Sequence, residues 1–132
     1  MDSFALGSEL AQAIIAHALQ GYPHEVCGIV AGRGEVGVAL FPGRNVSPTP
    51  QVAYELDADT LVRQIEFEEA GLMLAAIYHS HPNGPETPSP TDIAMAFYPD
   101  SVHVICSLTD PERPTLRGFR IANGEPREVL LT

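Results

Sequence analysis

Leu72-Met73-Leu74-Ala75-Ala76-Ile77-Tyr78-His79-Ser80-His81-Pro82 is the stretch on which the fold turns. Its first seven residues are apolar almost without a break, the pattern of a strand buried on both faces. The run leads straight into two histidines two residues apart, and Pro82, which has no backbone N–H to give, ends it. Side chains two apart in an extended chain point to the same side. His79 and His81 can therefore face one metal ion while Ser80 faces away.

Downstream, Asn83-Gly84-Pro85-Glu86-Thr87-Pro88 is dense in turn formers and can fold the chain back. A short helix is expected over Pro90–Phe97, then strands over Val102–Leu108, Leu116–Ile121 and Arg127–Leu131. Upstream, Leu10, Ala13, Ile14 and Ala18 form a helical stripe across Ser8–Gln20, with Ser8 as N-cap and Gly21 as stop. Glu25–Ala31, the turn Gly32-Arg33-Gly34 and Val36–Phe41 read as an antiparallel pair, and Val52–Leu56 as a third strand. Ala58–Ala70 reads as a helix with Leu61, Ile65 and Leu72 inward and Glu66, Glu68 and Glu69 outward. This order predicts an α/β fold: a mixed, mainly antiparallel sheet flanked by helices, in one domain over residues 1–132.

The composition narrows the classes. Of 132 residues, 45% are hydrophobic, enough for a sizeable core, and the net charge is −10. An acidic chain repels phosphate backbones, so nucleic acid is not an expected partner. No apolar run approaches the roughly 18 residues of a membrane span. The N-terminus lacks the basic start of a secretory leader, so a cytoplasmic location is expected. Cys27 and Cys106 have no CxxC spacing and sit in apolar runs as buried strand residues; a disulfide between them requires neighbouring strands. His17, His24 and His103 read as structural or surface residues.

The chemistry collects between His79 and Asp92. Three protein ligands leave one coordination position open, which distinguishes a catalytic zinc site from a structural one. Ser89-Pro90-Thr91-Asp92 is also an ordinary helix start, with Ser89 as N-cap, Pro90 at the first helical position and Asp92 closing a capping box. The two readings are compatible, because a capped helix rigidly holds a ligating carboxylate. Zinc acidifies a bound water, and amide hydrolysis still needs a carboxylate to move that water's proton to the leaving amine. Glu25, which opens the Val26–Ala31 run, is the candidate base; an ordinary strand-edge carboxylate would look the same. His24-Glu25 does not start a zincin helix, since Gly28 stands where the second histidine belongs.

Glu25-Val26-Cys27-Gly28, then His79-Ser80-His81-Pro82, Ser89 and Asp92 resemble the signature of the JAMM/MPN-plus metallopeptidases. Asn45, Pro48, Tyr54, Asp57 and Ile93 extend the likeness to the small stand-alone prokaryotic members, from about Glu25 to Arg120. The resemblance implies the MPN fold, related to that of cytidine deaminases, with Zn2+ held by His79, His81, Asp92 and a water. It implies Glu25 as general base and Ser89 as donor to the oxyanion. The implied substrate is the amide or isopeptide after the C-terminal Gly-Gly of a ubiquitin-like or sulfur carrier protein, with cysteine, tail residues or a lysine adduct released. Such a tail binds extended, and Gly43–Tyr54 and Asn83–Pro88 are the expected walls. Neither the carrier, the leaving group nor the oligomeric state, monomer or homodimer, follows from the sequence.

Two other readings compete. RadC-like proteins share a similar histidine, serine and aspartate core, but often with Asn between the histidines and Ser-Gly after the proline, where this chain has Ser80 and Asn83-Gly84. A catalytically inactive MPN scaffold that binds protein partners would usually lack a ligand, and none is missing. A nucleobase deaminase needs H-x-E with P-C-x-x-C, and the chain has neither.

Overall fold

The computed structural model describes residues 2–132. Its elements are β1 (Ser3–Phe4), α1 (Ser8–Gly21), β2 (Cys27–Arg33), β3 (Val36–Pro42), α2 (Ala58–Glu69), β4 (Met73–His81), α3 (Pro90–Ala94), β5 (Val102–Ser107), β6 (Thr115–Ala122) and β7 (Glu125–Leu131). The strands form one seven-stranded sheet in the order β1-β7-β6-β5-β4-β2-β3. The β4/β5 and β1/β7 pairs are parallel; the other four pairs are antiparallel. The α/β fold with a mixed, mainly antiparallel sheet is as the sequence predicts.

β4 is central because it can be. Leu74 to His81 are all buried, and β2 and β5 cover its two edges. Alternation splits its side chains between two cores. On one face Ala76 and Tyr78 pack with Ile14 and Ala18 of α1, together with Val102, Val104 and Cys106 of β5. On the other, Ile77 packs with Ile29 and Ala31 of β2 and Phe67 of α2. Gly28 lies opposite Tyr78 in the ladder, and a Cβ there would collide with the tyrosine ring. The absence of a side chain at this position admits Tyr78, whose hydroxyl meets His17 Nδ1 at 2.7 Å.

Several expectations are corrected. Ser8 is the first residue of α1 and not its cap; Gly7 holds that place, at φ +81°, with no side-chain bond. Gly21 is the last helical residue and Tyr22 follows as C-cap. Val52–Leu56 is no strand: only Leu56 makes an isolated bridge, to Asn45. Asn45 takes over the loop's backbone groups, donating from Nδ2 to Ala53 O and accepting at Oδ1 from Glu55 N, so they are withdrawn from any ladder. α2 is turned by about one residue from its expected face: Thr60 and Phe67 are buried, while Leu61 and Ile65 are 42% and 55% exposed. Its N-cap explains the rotation. Asp57 accepts from Thr60 N and Thr60 Oγ1 and also from Arg44 N, fastening Thr60 inward against the loop after β3. α3 stops at Ala94, short of Phe97.

Cys27 and Cys106 are free. Cys27 pairs with His79 and Cys106 with Ser80 from opposite edges of β4. Two strand spacings are about 9–10 Å, beyond disulfide reach. No helix among the described residues is long and apolar enough to cross a membrane.

Candidate metal centre

His79 and His81 lie at the C-terminal end of β4, which stops at His81, just before Pro82. Their shared face turns toward α3, which brings Asp92 over them. His79 Nε2 and His81 Nε2 are 3.0 Å apart. Asp92 Oδ2 is 3.0 Å from His81 Nε2 and 3.1 Å from His79 Nε2. The three donor atoms thus make a nearly equilateral triangle. Zinc bonds of 2.0–2.1 Å at tetrahedral angles would hold such donors about 3.3 Å apart, so the set fits a shared Zn2+.

The mounting of each donor follows from its element. His81 Nδ1–H donates to Pro85 O at 2.7 Å, which presents Nε2 to the triangle. His79 has no such tether, and its buried Nδ1 is unpartnered. Its ring is instead held flat against Tyr54, with centroids 4.6 Å apart and planes 24° from parallel. Ser89 caps α3: its Oγ accepts from Asp92 N at 3.0 Å, and its own N–H donates to Asp92 Oδ2 at 2.9 Å. The capping box foreseen in the sequence and the carboxylate of the triangle are one arrangement.

Glu25 stands just before β2, 6% exposed, with Oε1 buried and unpartnered. Its backbone is clamped on both sides, N–H to Pro50 O and C=O from Asn45 Nδ2. A latch joins the next residue to the histidine strand: Val26 N donates to Ser80 Oγ at 2.8 Å and Ser80 N to Val26 O at 3.0 Å. The serine between the two histidines therefore locks Glu25 onto the triangle's strand. Nothing in the sequence showed that Ser80 bonds the Glu25 segment, and Asn45 and Tyr54 stood out only through the family resemblance.

Burial, hydrogen bonds and neighbouring charges set the electrostatics of the four residues. Burial raises the Glu25 carboxyl to about 7, against a lowering by His81. Burial also opposes ionisation of Asp92, but the hydrogen bonds of His79 and His81 and the Ser89 N–H outweigh it and hold that carboxyl well below the usual range. His79 is shifted down by burial. For His81 burial pulls downward too, yet the Asp92 and Pro85 hydrogen bonds prevail and raise it.

Of the other histidines, His17 is structural through Tyr78 and His24 is on the surface, as expected. His103 is a buried residue of β5, and it lines a cavity that Asp92 also borders.

Residues 7–122 match the family of prokaryotic homologs of the JAB domain, and the chain belongs to that family. A desampylase of Haloferax volcanii is 39% identical over 110 residues, 78% of this chain and 79% of that protein. A CysO-cysteine peptidase of Mycobacterium tuberculosis is 35% identical over 124 residues, 92% of this chain and 84% of that protein. The crystal structure of AF2198, a JAB1/MPN domain protein from Archaeoglobus fulgidus, has a TM-score of 0.60 over 100% of this chain and 97% of that one; at 17% identity the likeness is one of fold.

Proposed function

We propose that this chain is a zinc-dependent JAMM-type peptidase that hydrolyses the amide bond after the C-terminal Gly-Gly of a ubiquitin-like or sulfur carrier protein. The observation that carries this reading is the triangle of His79, His81 and Asp92, with the buried, unpartnered Glu25 carboxyl close enough to feel the charges of His81 and Asp92. The desampylase and CysO-cysteine peptidase relatives support the substrate class. An intact donor set and a base counts against an inactive scaffold.

His79, His81 and Asp92 are the residues that would hold Zn2+. When bound, zinc supplies Lewis-acid polarisation of the amide carbonyl and acidifies water. Glu25 takes a proton from the attacking water as the C–O bond forms and the carbonyl oxygen becomes an oxyanion. It then gives that proton to the leaving nitrogen as the oxyanion collapses and the C–N bond breaks. Its raised proton affinity suits both directions of transfer. Ser89 Oγ already accepts from Asp92 N, which leaves its O–H proton to donate to the oxyanion. Ser80 and Asn45 keep Glu25 in place without touching the reacting atoms.

The test is a panel of Gly-Gly carriers bearing a C-terminal cysteine, a longer tail or a lysine-linked adduct, analysed by mass spectrometry with zinc-loaded and chelated protein. The expected result is a free Gly-Gly terminus from at least one conjugate and none after chelation. Purified protein that carries no zinc and cuts no conjugate would leave the scaffold reading.

A further inference from the structure

The cavity beside the triad holds a histidine that the proposed chemistry does not use. It encloses about 310 Å3 between Tyr54 and Leu56 of the loop, Ile77 of β4 and the Met95–Tyr98 segment that follows α3, with Asp92 on its side. That is the small end of the range for ligand pockets, and an apolar wall with few polar groups is their usual character. Glu55 and Thr91 border it from exposed positions; the polar group buried in its wall is His103, 5% exposed, with Nε2 buried and without a protein partner. Strand register puts it there: His103 pairs with Ile77, two residues before His79 on the same face of the sheet. Buried polar atoms in native folds nearly always have a partner; Nε2, with none in the protein, is free to bond a group that enters the cavity.

We propose, building on the peptidase reading, that this cavity is a specificity pocket for the residue preceding Gly-Gly in the carrier's tail, and that His103 selects a side chain apolar along its length and ending in a hydroxyl or amide. Glycines have no side chains, so the first one upstream of the cut belongs to the residue two positions before the reacting glycine. In an extended tail that is roughly 7 Å from the cleaved bond, a distance suited to a pocket whose wall includes Asp92. The tail takes this side because the apolar pocket residues Leu61, Met95, Phe97 and Tyr98 are exposed at its mouth. A folded carrier can cover such a surface, whereas a leaving group can be as small as one amino acid. A neutral imidazole offers one donor and one acceptor. Burial, aided by nearby His79, pushes the His103 pKa down to about 4 and keeps the ring neutral, which matches an uncharged polar tip.

Two measurements test this. Conjugates differing only before Gly-Gly, Tyr against Phe and Gln against Leu, are compared by kcat/KM. The polar-tipped member of each pair is expected to lead by about tenfold, the lead vanishing in His103→Leu and surviving in part in His103→Gln. Equal rates within each pair, or an unchanged lead in His103→Leu, would overturn the proposal. Separately, a Tyr-Gly-Gly peptide is titrated into the zinc-loaded protein while the His103 ring signals are followed by NMR. They are expected to shift, and signals unmoved up to millimolar peptide would also overturn it. A shift with no conjugate cleaved would reject the peptidase reading while leaving the pocket intact.

Discussion

Glu25 is a carboxylate where ionisation is costly. Burial lifts its pKa to about 7 and nothing bonds Oε1, a condition that aids proton transfer and hinders folding. Glu25→Gln keeps the shape and removes the base. It should retain zinc at wild-type stoichiometry and lose on the order of 10²–10⁴ in kcat, measured by metal analysis and conjugate turnover. Ser89 caps α3, and substitution can separate that role from the oxyanion role proposed for it. Ser89→Gly removes the hydroxyl while costing the cap only a few tenths of a kcal/mol, so a rate loss of about 10²–10³ with nearly unchanged melting would assign the hydroxyl to the oxyanion. A melting change alone would assign it to the cap.

Among the elements, β4 does most to build the site, and its serine does so by facing away from the metal. Ser80→Ala would strand Val26 N–H in the interior, a cost of about 1–3 kcal/mol, and would loosen Glu25. The expected outcome is lower kcat with zinc binding preserved. α2 offers a contrast. Its apolar residues suggested an inward Leu61 and Ile65, but the Asp57–Thr60 cap turns Phe67 inward in their place. Phe67→Ala should cost about 3–5 kcal/mol and Ile65→Glu about 0.5 or less, compared by denaturant titration. The Val52–Leu56 segment misled for a similar reason. Its alternation suits a strand, yet one asparagine side chain, Asn45, satisfies the backbone that a neighbouring strand would have paired. Such local competition leaves no trace in hydrophobic periodicity.

Across the whole molecule, the site is held in tension with stability. Glu25 takes a proton more readily in the folded metal-free protein than in the unfolded chain, since its pKa rises from 4.5 to about 7. The folded state binds more protons between those values, so this group's contribution to stability declines as pH rises through that window, by up to about 3 kcal/mol. Metal-free Glu25→Gln should therefore gain on the wild type in melting temperature at pH 8 and lose that advantage near pH 4, checked by thermal unfolding after chelation.

The sequence by itself determined the central strand, the His79-Ser80-His81 pair, the capping box of Ser89 and Asp92, and the α/β class. Each rests on a local rule of alternation, turn chemistry or capping that neighbouring residues state in full. In the sequence, Asp92 and Glu25 were candidates that only the family resemblance assigned to one site; the tertiary structure set Asp92 Oδ2 within 3.1 Å of both histidines. It also supplied the Ser80 and Asn45 bonds that hold the Glu25 segment, kept β4 between Cys27 and Cys106, and set His103 in the wall of the adjacent cavity. Those facts depend on strand order and helix rotation, which arise from contacts between residues far apart in the chain and carry no periodic signal along it.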